Sequence, residues 1–124
     1  MMMGIQLIKN WNNSMAKKET DLKGITASPG IVEGKVLIIK NPAKPVEPKR
    51  GCIIVTTFTT PVIALALTEA AGIICEKGGL TCHAAIIARE FNIPCIVGVK
   101  NTLKRLKNNQ TIILDANKGK IYEA

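Results

Sequence analysis

The run Gly72-Ile73-Ile74-Cys75-Glu76-Lys77-Gly78-Gly79-Leu80-Thr81-Cys82-His83-Ala84-Ala85-Ile86-Ile87-Ala88-Arg89-Glu90 changes character twice. A short apolar stretch ends in charge and a glycine pair, which reads as a buried strand followed by a loop. The alanine-rich segment beyond has good helix propensity, so the order is strand, loop, helix. In an α/β sheet that order puts the loop at the carboxyl end of a strand, the usual position of a ligand site. His83 is the only histidine of the chain and falls at or just inside the helix N-terminus.

That position is suited to an anion. The first four N–H groups of a helix have no intrahelical partner, and the helix dipole adds roughly half a positive charge there. A phosphate is therefore held without a dedicated arginine. With Thr81 as the N-cap, its hydroxyl would accept from the N–H of His83 or Ala84, and Cys82 and His83 would lie in the first turn. Gly78 and Gly79 allow a tight turn and keep side chains away from whatever approaches the ring. A neutral imidazole is a competent nucleophile near pH 7, and the positive helix end disfavours a second proton on it.

A lone histidine is commonly a structural or surface residue, and the Gly-Gly-x-Thr-Cys-His context is what moves the reading towards phosphate chemistry. No Cys-x-x-Cys or His-x-x-x-His pair supplies further metal ligands, so no metal is expected. A cysteine-hydrolase pair of Cys82 and His83 is disfavoured, because adjacent helical residues point about 100° apart. Arg89 lies too far along the helix to reach a phosphate at its start, and pairing with a carboxylate or facing a docking partner is the expectation. Lys77 is the better local source of positive charge, against a default of a solvated surface lysine.

Outward from this stretch, residues 31–39 and 52–57 read as strands separated by a loop holding Pro42, Pro45 and Pro48. Pro61 fits the first turn of a helix to about residue 70, with Thr59 or Thr60 as cap. Residues 93–97 form the next strand and residues 103–107 a short helix or turn. A final strand pair, 111–114 and 120–122, is joined by a turn at 117–119. Ala84, Ala85, Ala88 and Phe91 recur at helical spacing and mark a core-facing stripe. Residues 1–21 are polar, without sustained periodicity, and read as a flexible leader before a domain spanning 22–124.

The 124-residue chain is 47% hydrophobic, enough for one domain with a real core and too short for an added nucleotide-binding domain. It also lacks a Gly-x-x-x-x-Gly-Lys phosphate loop. Cys52, Cys75, Cys82 and Cys95 sit in apolar runs without staple-like spacing, so reduced thiols are expected. No apolar stretch approaches the roughly 20 residues of a membrane span, and no signal peptide is evident; a cytoplasmic location and no membrane contact follow as expectations. The net charge of +8 comes with only four aromatic residues, so the stacking interleaved with basic groups that single-strand nucleic-acid binders use is absent. A basic surface that meets acidic partners or phosphorylated substrates is the preferred account.

The segment Gly78-Gly79-Leu80-Thr81-Cys82-His83-Ala84-Ala85-Ile86-Ile87-Ala88-Arg89-Glu90-Phe91-Asn92-Ile93-Pro94-Cys95-Ile96-Val97-Gly98 resembles the signature of the mobile, phosphohistidine domain of phosphoenolpyruvate-utilising enzymes. That family includes phosphoenolpyruvate synthase, pyruvate phosphate dikinase, enzyme I of the sugar phosphotransferase system and rifampicin phosphotransferase. Gly24 to Val36, with its Ser28-Pro29-Gly30, is similar to the family's opening segment. Thr59-Thr60-Pro61 resembles its threonine-proline helix start, and Asp115-Ala116-Asn117-Lys118-Gly119 its closing turn. Many members carry serine at the position of Cys82, and the cysteine form is similar to the phosphoenolpyruvate synthase branch.

The resemblance implies an α/β fold of the swivelling β/β/α type, a compact single layered domain. It also implies that His83 accepts a phosphoryl group on the ring nitrogen farther from the backbone, with Thr81 supporting it and Gly78, Gly79, Cys82 and Ala84 lining the phosphate position. The partners implied are an ATP-binding (ATP-grasp-like) domain or subunit and a phosphoenolpyruvate/pyruvate-binding barrel. Mg2+, ATP and phosphoenolpyruvate would belong to them, with no cofactor bound by this domain. A regulatory or docking module, or a piece of a longer enzyme, is the alternative role.

Overall fold

Strands β1 (Lys18–Lys23) and β2 (Ile25–Ser28) are consecutive in the chain, yet they form the two opposite ends of one eight-stranded sheet. The strand order is β1-β8-β7-β3-β4-β5-β6-β2. Only Gly24 separates the two end strands, so the sheet has to curl until its ends meet. At this seam the Gly24 N–H donates to Gly119 O at 3.0 Å. A Cβ on Gly24 would lie 2.5 Å from Val97 O, which leaves glycine as the residue that lets the ends approach. These features come from a computed structural model, which describes Ile8 and residues 18–124.

The centre of the sheet is a parallel run of β3 (Ile31–Ile39), β4 (Cys52–Thr56), β5 (Gly72–Cys75) and β6 (Cys95–Val97). β4, β5 and β6 are nearly continuously apolar and buried, as strands covered on both faces require, whereas β3 exposes Glu33 and Lys35. Antiparallel pairing adds β7 (Thr111–Asp115), β8 (Lys120–Glu123) and β1 on one side and β2 on the other. A 3₁₀ turn, Pro61–Ile63, leads into α1 (Ala64–Thr68) between β4 and β5, and α2 (His83–Glu90) connects β5 to β6. A short α3 (Thr102–Arg105) precedes β7.

Alternation along the central strands divides the core in two. Ile53, Val55, Ile74 and Ile96 face an inner cluster with Val32, Ile112, Leu114 and Ile121. Ile54, Ile73, Cys75 and Val97 face an outer cluster with Ile63, Leu67, Ala84, Ala85 and Ala88 of the helical layer. Across the curl, a Cβ on Gly72 of β5 would stand 2.9 Å from Leu114 Cδ2 of β7, although two strands lie between them in the sheet. The layers are therefore strand, strand and helix. Small side chains on α2 are what let it sit close to the sheet.

The strands expected at 31–39, 52–57, 93–97, 111–114 and 120–122 are present within about two residues of those bounds. Two expectations are corrected. The polar run before residue 22 is not wholly a leader, because Lys18–Lys23 is a strand paired to β8. Its charged residues suit a sheet-end strand of which only Leu22 is buried. The rest of the expected leader lies outside the described residues, apart from Ile8. Phe91 is not core: it lies just beyond α2 and is 50% exposed, because the chain turns away at Asn92 with φ 55°.

Candidate functional site

β4 and β5 run parallel with Thr56 beside Cys75, so the segments leaving their carboxyl ends start side by side. The ladder continues past the strands, with Glu76 N–H donating to Thr56 O at 3.0 Å and Lys77 N–H to Thr57 O at 2.9 Å. One segment then carries Phe58 and Thr59, and the other carries Gly78 to His83. A pocket of about 170 Å³ lies between them, lined by Phe58, Thr59, Cys75, Lys77, Gly78, Cys82 and His83.

His83 is the first residue of α2, half-buried, with Nδ1 3.0 Å from Thr59 Oγ1. Its Nε2 makes no hydrogen bond among the described residues. The first helical bond of α2 runs from Ile86 N–H to Cys82 O at 3.1 Å, which leaves the N–H groups of His83, Ala84 and Ala85 outside the helical ladder. The ring and the positive end of the helix dipole thus share one small space.

Thr81 is not the N-cap. Cys82 holds that position with extended backbone, no side chain caps the helix, and Thr81 is exposed. A threonine cap would have occupied one of the end N–H groups; among the described residues no side chain accepts from them. Cys82 is half-buried and packs against the outer core cluster. Gly78 has φ +111°, and a Cβ there would stand 2.9 Å from Cys82 Sγ, so the glycine is required by both conformation and space. Gly79 has nothing within 4 Å of where a Cβ would stand. Ala84 is fully buried in the outer core cluster and does not line the pocket.

Thr59 is the residue that sequence reasoning missed in this role. Thr60 precedes the 3₁₀ turn without a side-chain cap, and its hydroxyl donates to Pro42 O. The hydroxyl of Thr59 is thereby left for the histidine. Consecutive parallel strands open onto the same end of a sheet, and that was the signal available for pairing the two loops. Among the described residues Arg89 pairs with no carboxylate: its Nε donates to Ala27 O at 2.9 Å and its Nη2 to Leu80 O. Lys77 is exposed at the pocket rim.

All four cysteines are free thiols. Burial pushes the Cys75 thiol from 9.0 up to about 12, with Cys82 adding to the shift. Cys95 is also raised, first by burial. Among the described residues no group of three or more His, Cys, Asp or Glu is placed to hold a metal ion, and no helix is long and apolar enough to cross a membrane.

This curled mixed sheet, with a histidine opening the helix after β5, is similar to the fold of the enzyme I phosphohistidine domain. A solution structure of enzyme I (nEIt) superposes with a TM-score of 0.51 at 28% identity, covering 61% of this chain and 31% of that one. The chain belongs to the family described as PEP-utilising enzyme, mobile domain, whose model matches residues 48–119. A probable phosphoenolpyruvate synthase of Methanothermobacter thermautotrophicus is 45% identical over 106 residues, which is 86% of this chain and 16% of that protein. The phosphoenolpyruvate synthase of Pyrococcus furiosus is 43% identical over 105 residues, 85% of this chain and 13% of that protein. The chain thus spans less than a fifth of the length of these relatives.

Proposed function

We propose that this chain is a phosphohistidine carrier. His83 accepts a phosphoryl group on Nε2 from a partner using ATP or phosphoenolpyruvate, then passes it on in a transfer of the phosphoenolpyruvate synthase or dikinase kind. The observation that carries the reading is the 3.0 Å contact between Nδ1 and Thr59 at the first residue of α2. With the ring proton on Nδ1 and donated to Thr59 Oγ1, the lone pair resides on Nε2.

The Nε2 lone pair forms the N–P bond while the P–O bond to the donor breaks, and the bonding electrons leave with the donor oxygen. The ring becomes cationic, with Nδ1–H still held by Thr59. The N–H groups of His83 to Ala85 and the helix dipole then favour the phosphoryl oxygens. Phosphoryl transfer asks chiefly for positioning and charge stabilisation, so a domain that presents a ring is a full participant while complete turnover needs others.

The partners in this reading are an ATP-binding domain and a phosphoenolpyruvate-binding barrel, with Mg2+ and donor held there. Phe58, Leu80 and Ile86 are large apolar side chains about half exposed near the histidine, a surface suited to docking. A cytoplasmic location belongs to the reading and draws support from the free thiols. The small share of its relatives' length favours a second version, in which this chain is one stretch of a longer enzyme with those domains alongside.

The test is intact mass at alkaline pH after incubation with the ATP- and phosphoenolpyruvate-binding partners, Mg2+ and either donor. One added phosphoryl group, lost in brief acid and absent in His83→Gln, is the expected result. No labelling with demonstrably active partners would make the chain a regulatory or docking module.

A further inference from the structure

Residues 78–81 have almost nothing to hold them. Gly79 has open space where a side chain would be, Leu80 is 50% exposed and Thr81 is exposed. Among the described residues two hydrogen bonds involve this segment. Cys82 N–H donates to Gly79 O at 3.2 Å, which is internal to the turn, and Arg89 Nη2 donates to Leu80 O. Among the described residues Arg89 is thus the group that ties the loop apex to the rest of the fold.

The geometry explains how a residue in the last turn of α2 reaches a loop preceding its first turn. Helical side chains lean towards the helix N-terminus, and arginine is long enough to lie back along the helix. Its Nε is fixed by Ala27 O of β2 at 2.9 Å, so the planar guanidinium spans β2 and the loop with directed bonds from one rigid fork.

We propose that Arg89 is a positioning residue for phosphoryl transfer, acting through the loop. It fixes the Leu80 carbonyl and therefore the placement of Thr81 and of the uncapped N–H groups that begin α2. The proposal rests on the carrier reading above for its chemical consequence, while its structural consequence stands separately. Lysine does not substitute, because a single ammonium on a flexible stem does not reproduce the two-carbonyl bridge.

The test uses the full chain, phosphoramidate as a small phosphoryl donor that needs no partner, and the Arg89→Gln and Arg89→Lys variants. Backbone 15N order parameters for residues 79–82 are expected to fall from rigid values to below about 0.6 in both variants, with the strands unchanged. The rate of acid-labile labelling at His83 is expected to fall about tenfold in both. A merely structural role would instead lower the thermal midpoint and loosen strands and loop together. Unchanged loop order in Arg89→Gln, wild-type labelling in that variant, or full rescue by lysine would overturn the proposal. If the wild-type chain itself takes no label, the carrier reading falls; loop order then decides whether Arg89 holds the loop, and unchanged order overturns that too.

Discussion

Thr59 Oγ1 lies 3.0 Å from Nδ1 of His83, across the gap between two segments that leave neighbouring parallel strands. A strand-end hydroxyl therefore sets the orientation of a helix-end ring. The contact is partly buried, so the hydroxyl competes with water only in part and its loss is felt in ring placement. Thr59→Val keeps the shape and removes the partner. A neutral hydrogen bond contributes about 1 kcal/mol net, so phosphorylation of His83 is expected to slow about five- to tenfold. Thr59→Ser should recover most of the rate. Initial rates of acid-labile labelling by intact mass check this, and a Val variant as fast as wild type would remove Thr59 from the mechanism.

Thr81 separates stability from chemistry. It is exposed, caps nothing and makes no hydrogen bond among the described residues. Thr81→Ala should therefore change stability by less than about 0.5 kcal/mol, the range of ordinary surface substitutions. If the hydroxyl supports the phosphoryl group, losing a hydrogen bond to a charged partner slows transfer by about tenfold or more. Paired urea melts and labelling rates decide it. A clear loss of stability with normal transfer would return Thr81 to a structural role.

The strand, loop and helix around His83 were legible because each has a local cause: a β-branched run, a glycine pair and an alanine-rich segment. Gly72–Cys75 forms β5 as read, and His83 opens α2. What was not legible depends on distant pairing. β1 carries mostly charged residues and is a strand through β8, its neighbour at the sheet end. Thr59 reaches His83 only because β4 and β5 are neighbours in register. The identity of the N-cap turned on backbone conformation at Cys82, one residue from the threonine whose side chain favours that role. Arg89 had two remote backbone carbonyls as partners, which no charge pattern reveals.

The two loop glycines should respond differently to one methyl group. At Gly78, φ +111° is unfavourable for an L side chain and the new Cβ meets Cys82 Sγ at 2.9 Å. Gly78→Ala is expected to cost about 1–2 kcal/mol and to shift the loop that carries the site. At Gly79 the space is open, so Gly79→Ala should be neutral or slightly stabilising through the unfolded chain. Thermal midpoints of the two variants check the contrast, and equal losses would mean that the Gly78 conformation is not the constraint.

Buried thiols give the fold an alkaline limit. Burial raises Cys75 from 9.0 to about 12, with Cys82 adding to it, and Cys95 is raised for the same leading reason. In the unfolded chain these thiols lose their protons near pH 9, while in the folded chain burial holds the protons on, in Cys75 to about pH 12. Between those values the unfolded state binds fewer protons, so stability falls as pH rises. The contribution is fully present below pH 9 and is lost on approach to pH 12, with a slope of up to about 1.4 kcal/mol per pH unit for each thiol. Other groups also contribute to stability at alkaline pH, so the informative quantity is a difference. Urea midpoints from pH 8 to 11 should decline more steeply for the wild-type chain than for Cys75→Ala/Cys95→Ala, whatever the offset between them at pH 8. Parallel declines would mean that the folded state does not hold these protons against the alkaline solvent.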